Sequence, residues 1–348
     1  MISEIAIGAH PDGPVSFDMA NASNRHISII GRSGSGKSVA GQKIIKNIVT
    51  NGECPVIVLD MHRLFCAENI FPEFSKDIQK LSCNIDAYTS GISLPLFTPL
   101  KHTNGRTEEP LDMIASIVEV LSTAAKLGAR QKECLFEAID FVAEKRSYES
   151  QGILALDRAL DMIDDEKAVA IRNKLRYVVQ KNVFRHGPVF FKNKRINVLQ
   201  LSQFSESMQA LVAEIVLAFI WRMANTGAFV EKGLCLYLDE CQNLNWGKTG
   251  IISTILSEGR KLGLQLIMIT QGLGSNRSDL NQCLFQAANQ LYFLPPENQT
   301  AIIAKLIAPK KNPYWQLRLK SLSVGECVAN GTFSVNGAAY NGALKIKI

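Results

Sequence analysis

The sequence predicts an α/β protein: a mostly parallel sheet flanked by helices, with an all-helical subdomain inserted into it. Three observations predict this. Two short buried-strand runs, His26–Ile30 and Val56–Leu59, bracket a glycine-rich turn and a helical pattern, the β-loop-α-β order of a parallel sheet. Further apolar runs at Ile196–Leu201, Leu234–Leu238, Leu264–Ile269 and Gln290–Leu294 each stop at polar residues or at Pro295-Pro296. Between Thr107 and Lys181 the strand pattern gives way to helical spacing alone.

The elements follow in order. Residues 1–24 hold short apolar stretches broken by Pro11, Gly13 and Pro14, which suit one or two small strands. A helix is expected from Lys37 to Val49. In the inserted segment, Leu111, Ile114, Ile117, Val118 and Leu121 repeat at helical spacing, as do Leu135, Ile139 and Val142, and then Leu154, Leu156, Leu160 and Ile163; four helices and no strand are expected. A long helix is expected from about Ser207 to Thr226, and short strands after Leu322. The expected organisation is residues 1–104 as the first part of the core, 105–190 as the helical insertion and 191–348 as the rest of the core.

Composition narrows the class. The 348 residues carry 38 Lys+Arg and 32 Asp+Glu, a net charge of +6, with 47% apolar and 20% charged residues. That is globular composition, long enough to bury a sizeable core, and it excludes disordered or collagen-like chains. The most apolar stretch, Ala210–Trp221, is interrupted by Glu214, and Met1-Ile2-Ser3-Glu4 has no basic leader, so neither a membrane span nor a secretory signal is expected. The eight cysteines form no C-x-x-C pair, so reduced thiols, no structural metal and a cytoplasmic setting are expected.

The chemistry sits at strand ends. Gly31-Arg32-Ser33-Gly34-Ser35-Gly36-Lys37-Ser38 matches G-x-x-x-x-G-K-[ST] between a strand and a helix. Glycines let backbone N–H groups turn inward on phosphate oxygens, and the helix N-terminus adds its dipole. The candidate nucleotide-binding residues are therefore Gly31, Ser33, Gly34, Ser35, Gly36, Lys37, Ser38 and Val39, with Lys37 on the β- and γ-phosphates and Ser38 on Mg²⁺. Asp239 suits the ordering of Mg²⁺ and Glu240 the activation of water. Gln271 can reach the γ-phosphate or the attacking water. Arg260 is a candidate finger acting on a neighbouring subunit's nucleotide. The expected cofactors are ATP and Mg²⁺. No N/T-K-x-D guanine reader follows the phosphate loop, and no L-S-G-G-Q precedes the acidic strand, which argues against GTPases and transport ATPases. The Asp-Glu pair and the Gln strand end point to a RecA-like P-loop NTPase of the additional-strand class.

Five stretches resemble the HerA/FtsK superfamily of DNA-pumping ATPases. His26 to Ser38 looks like its H-x-x-I-x-G-x-[ST]-G-[ST]-G-K-S entry, Leu59-Asp60-Met61-His62 like its D-x-H, and Leu236–Glu240 like its acidic strand. Glu258-Gly259-Arg260-Lys261-Leu262-Gly263 to Thr270-Gln271 is similar to its E-G-R-K-x-G…T-Q block, and Leu322–Cys327 to its L-x-x-G-E-x strand. The resemblance implies a hexameric motor that translocates on or threads double-stranded DNA, working with a nuclease or other effector in DNA processing or phage defence. HerA proteins usually begin with a β-barrel domain, and about 24 residues precede the first core strand here; a minimal motor core is implied. An ATP-gated ring scaffold that activates a partner enzyme, and a soluble DNA-packaging ATPase, are the alternatives.

Two stretches bear on a nucleic-acid track, a solvated basic face with core aromatics being the other reading, which the stretches taken alone favour. Residues 167–205 hold nine basic residues and no acid, and residues between Glu297 and Glu326 hold Lys305, Lys310, Lys311, Arg318 and Lys320 with Tyr314 and Trp315 among them. The loops Asn243–Lys248 and Leu273–Arg277 follow functional strand ends and are candidate pore loops.

Overall fold

The chain opens with β1 (Glu4–His10) and β2 (Gly13–Asp18), then β3 (Ile27–Ile30), α1 (Lys37–Asn51), β4 (Val56–Asp60), α2 (Pro72–Leu81), β5 (Ser82–Asp86) and β6 (Ile92–Ser93). Four helices follow, α3 (Pro110–Ala124), α4 (Ala129–Glu144), α5 (Ile153–Asp161) and α6 (Glu166–Gln180), then β7 (Phe184–Arg185), β8 (Ile196–Gln200), α7 (Glu206–Asn225), β9 (Leu234–Leu238), α8 (Ile251–Glu258) and β10 (Leu264–Thr270). The chain closes with α9 (Ser278–Gln286), β11 (Asn289–Tyr292), α10 (Glu297–Ile307), α11 (Asn312–Lys320), β12 (Glu326–Val335) and β13 (Ala338–Lys347). This computed structural model describes residues 3–52, 54–145, 148, 150–193, 195–248, 250–274 and 278–348.

The sheet has eleven strands in the order β13-β1-β2-β12-β11-β3-β10-β9-β4-β8-β5. From β11 to β5 every pairing is parallel. The remaining strands pair antiparallel, and β13 pairs with both β12 and β1, so these four strands close a ring of pairings. Side-chain alternation splits the core between the two faces. Val56 and Val58 join Ile44, Ile45 and Ile48 of α1 on one face. Ile57 and Leu59 face the other way, toward α3, α7 and α8. The arrangement is helix, sheet, helix, and it confirms the α/β expectation of a mostly parallel sheet with helices on both sides.

Local signals account for most elements. Pro110 opens α3, where its missing N–H costs nothing. Asp165 caps α6 by accepting from the Lys167 N–H. Helix α7 is apolar nearly all round because it lies between the sheet and the helical layer. Among the described residues it is the one helix long and apolar enough to cross a membrane, and 67% of that apolar window is buried in this fold.

Two places differ from expectation. Strand β5 reads Ser-Cys-Asn-Ile-Asp and carries no apolar run, yet it extends the parallel sheet by pairing with β8. It is an edge strand, so one neighbour's backbone ladder holds it without double-sided burial. The C-terminal strands are long, ten residues each, and turn through Asn336-Gly337, both with positive φ. Asn-Gly between paired strands is a two-residue hairpin signal.

Candidate active site

The C-terminal ends of β3, β4, β9 and β10 lie side by side, and each carries one part of the site. This is the edge where ligands bind in open parallel sheets. The phosphate loop leaves β3 at Gly31. Gly34 (φ +74) and Gly36 (φ +110) take backbone conformations that a side chain would strain. Helix α1 starts at Lys37 with no side-chain cap, so its first N–H groups, those of Lys37, Ser38 and Val39, lack partners in the helix. Orphan donors at a helix N-terminus, cradled by glycines, fit an anionic phosphate.

Lys37 is 8% exposed, and its Nζ donates to the Arg32 carbonyl at 2.9 Å. Burial pulls its pKa below the usual lysine value, while Glu240 and Asp239 pull it back up. Ser35 Oγ donates to the same carbonyl at 2.7 Å. The turn between α11 and β12 braces the loop, with the Gly325 N–H donating to the Ser35 carbonyl at 3.1 Å.

Asp239 is buried at the end of β9, and its pKa is pushed up to about 7. Loss of hydration is the largest cause, followed by repulsion from Glu240 and Asp60. Asp60 ends the adjacent strand β4 and is itself 1% exposed. It accepts from the N–H groups of Leu64 (2.9 Å) and Phe65 (3.0 Å), which folds the 61–65 turn around it. Two carboxylates on neighbouring buried strand ends set up a site that a cation would relieve. Ser38 and Asp239 are the residues that could offer oxygens to a Mg²⁺ ion, and among the described residues no group of three or more His, Cys, Asp or Glu forms a metal cage. That donor set fits Mg²⁺, which takes few protein ligands and completes its shell with phosphate oxygens and water.

Glu240 stands next, at φ 47, a left-handed conformation that a non-glycine residue adopts at a cost of about 1–2 kcal/mol. Its carboxylate accepts from Gln271 Nε2 at 2.7 Å and from Gln242 Nε2. Gln271 leaves β10 beside β9, so the structure brings Glu240 and Gln271 into direct contact. The 241–247 turn behind them is pinned: the Asn245 N–H donates to buried Glu214 of α7 at 2.9 Å, and Trp246 Nε1 to the Cys241 carbonyl at 2.7 Å.

Arg260 is not part of this cluster. It precedes β10, so the length of that strand, about 20 Å, separates it from the Thr270 end. Its guanidinium donates to the Ser23 carbonyl. His26 is fully buried, accepts from the Leu266 N–H through Nδ1 at 3.0 Å, and burial drives its pKa down to about 4, so it joins β3 to β10 as a neutral ring. The sequence motifs contain Asp60 and Gly325 without giving either a role, and Gln242 belongs to none of them. The signal for Asp60 was present, an acid closing a fully apolar strand as Asp239 does.

The basic stretch 167–205 begins on helix α6. Several of its cations are engaged within the chain: Lys167 with Asp165 (2.8 Å), Arg172 with Asp157 (2.9 Å) and Asp161, Lys174 on the Lys126 carbonyl (2.7 Å) and Lys181 on the Tyr88 hydroxyl (3.1 Å). Arg195 donates to the Lys80 carbonyl at 2.7 Å. The acids come largely from the neighbouring helix α5, outside the stretch whose charge was counted. Lys194 and, in the second candidate pore loop, Arg277 lie outside the described residues. Lys248 of the first loop is exposed.

The family model described as the helicase HerA central domain matches residues 5–220, more than half of the chain. Among solved structures, the chain is similar to VirB4 of Thermoanaerobacter pseudethanolicus, with a TM-score of 0.72 at 16% identity, covering 99% of this chain and 96% of that one. It is similar to the bacterial conjugative coupling protein TrwBΔN70, with a TM-score of 0.62 at 12% identity, covering 99% and 88%. It is also similar to the plasmid coupling protein TrwB in complex with a non-hydrolysable ATP analogue, with a TM-score of 0.59 at 12% identity, covering 93% and 84%. No curated protein matches the chain in sequence.

Proposed function

The chain belongs to the helicase HerA central-domain family and is a P-loop ATPase, and from that premise we propose a ring-shaped motor that translocates on or threads double-stranded DNA. In this reading the ring is a hexamer, ATP and Mg²⁺ are its cofactors, and a nuclease or other effector works with it in DNA processing or phage defence. The observation that carries the reading is the meeting of four strand ends: a phosphate cradle on β3, buried carboxylates on β4 and β9, and the Glu240–Gln271 contact across β9 and β10.

The residues divide the work as follows. The N–H groups of Gly34 to Val39 hold the phosphates, and Lys37 exchanges the Arg32 carbonyl for phosphate oxygens. Ser38 and Asp239 hold Mg²⁺, which supplies charge neutralisation at the transferring phosphoryl. Glu240 accepts the proton of the attacking water once its carboxylate is freed from Gln271 and Gln242. Gln271 then follows the γ-phosphate, and Arg260 serves a neighbouring subunit. Support for conformational coupling comes from Glu214, which ties the turn after Glu240 to helix α7. Exposed Lys248 on that turn is the candidate contact to the DNA backbone.

The test is the ATP hydrolysis rate with and without linear duplex DNA at low salt, with Glu240→Gln as blank. DNA stimulation that fades as salt rises is expected, because phosphate contacts release counterions. Lys248→Ala should lower the stimulated rate and leave the basal rate. A clear basal rate untouched by DNA would overturn the motor reading and leave an ATP-gated scaffold.

A further inference from the structure

Two stretches of the chain, 307–318 and 340–345, together with His10 line one open groove of about 1030 Å³ beside the antiparallel strands. The turn before α11 and the helix itself bring Lys311, Tyr314 and Arg318 to it at spacings of three and four residues, so the three stand in a row. Lys310 lies beside them, and β13 supplies Tyr340 and Lys345. No Asp or Glu lines the groove. Lys345 pairs with Glu326 at 2.9 Å. Among the described residues no carboxylate pairs with Lys310, Lys311 or Arg318.

The two tyrosines are half-exposed, 50% for Tyr314 and 41% for Tyr340. Both rings are held by neighbouring side chains. Trp315 meets Tyr314 edge-on at 5.2 Å, and the Arg318 guanidinium lies 5.3 Å from the Tyr314 ring and donates to its hydroxyl. Phe333 stacks under Tyr340 at 5.0 Å. Rings fixed in orientation beside unpaired cations can stack bases while the cations follow the phosphates. A duplex offers phosphates to the cations but keeps its base faces in its own stack, leaving the rings without a partner.

We infer that this groove binds a short run of single-stranded nucleic acid, with phosphates along Lys310, Lys311 and Arg318 and bases on Tyr314 and Tyr340. The inference rests on the nucleic-acid reading of the chain and adds a single-strand site separate from the phosphate loop.

The experiment is fluorescence anisotropy of labelled oligo(dT) and oligo(U), each roughly 20 nucleotides, with no ATP present. Tyr314→Ala and Tyr340→Ala should each weaken binding roughly tenfold, and the Phe variants should bind as the parent does. The double variant Lys310→Gln/Lys311→Gln should flatten the log–log salt slope by about 1.4, two phosphate contacts on a single strand. Binding of a blunt duplex of equal length should not respond to the tyrosine changes. Preference for either polymer supports the site and names its sugar. Unchanged oligonucleotide affinity in both alanine variants overturns it. So does displacement of the oligonucleotide by saturating ATP·Mg²⁺, which would make the groove part of the nucleotide site, and so does an equal loss on duplex. Duplex-stimulated hydrolysis measured on the parent protein separates the two ideas: its absence removes the motor reading, while oligonucleotide binding still decides the groove.

Discussion

Asp239 titrates in the wrong range for a surface carboxylate, and the consequence is a stability that depends on pH. Its folded pKa, about 7, lies above the ordinary aspartate value of 3.8, so folding disfavours the charged form. The group's contribution is therefore present at low pH and lost as pH rises through about 7. His26, lowered to about 4, acts in a more acidic window and does not interfere above pH 6.5. In the nucleotide-free protein, Asp239→Asn should raise Tm at pH 8 relative to the parent, and the difference should shrink toward pH 6. Thermal melts across that range check this, and an equal difference at both ends would contradict the buried-carboxylate account. Tyr237 offers a second case. Its hydroxyl is fully buried and without a hydrogen-bond partner, and a Cβ on Gly41 would collide with it. An unpaired buried hydroxyl costs about 1–3 kcal/mol, so Tyr237→Phe should hold or raise Tm. Gly41→Ala should lower Tm, and by less in the Tyr237→Phe background. A destabilised Tyr237→Phe protein would mean the hydroxyl has a partner.

Helix α7 joins the two halves of the molecule through two buried charges. Glu214 receives the turn that follows Glu240. Two turns on, Arg222 pairs with Glu108 at 2.6 Å and donates to the carbonyls of Leu96 and Thr98, both at 2.9 Å. That second cluster anchors the strap of chain leading into α3. Removing one partner strands the other charge in the interior, so Glu108→Ala should destabilise the fold by about 3–5 kcal/mol, measured by denaturant unfolding. A loss under 1 kcal/mol would show that water reaches Arg222. The same helix illustrates what periodicity could and could not reveal. Its apolar run predicts a long helix, but periodicity says nothing of what buries it, and the sheet and α3 do so here.

The candidate site residues of the chain divide between the two ends of the sheet strands. The phosphate cradle, Asp239, Glu240 and Gln271 converge, while Arg260 sits at the opposite edge of the sheet. If neighbouring copies share sites, Arg260→Ala and Lys37→Ala should each be inactive alone, and mixing them should restore a fraction of the hydrolysis. Mixed rings without recovery would remove Arg260 from the reaction. The charge distribution follows the same division between what is near in sequence and what is near in space. In the helical stretch that is most basic in sequence, Arg172 pairs with two acids of α5, while among the described residues Lys310, Lys311 and Arg318, which have no carboxylate partner, gather where α11 meets β13.

By itself the sequence determined the class of fold, six of the seven parallel strands, the phosphate loop and the acidic strand end. These are local signals: β-branched runs, a glycine spacing that only a phosphate turn requires, and acids at the close of apolar runs. Asp60 was visible in its motif, but its pressure on Asp239 was not, because that pressure arises from two adjacent strands with 173 residues of chain, 61–233, between them. Only the tertiary structure decided that Gln271 meets Glu240, that Gly325 braces the phosphate loop, that β5 joins the sheet, and that Arg260 stands apart. Each of those depends on strand order and on which end of a strand a residue leaves, and neither is written in the neighbourhood of the residue.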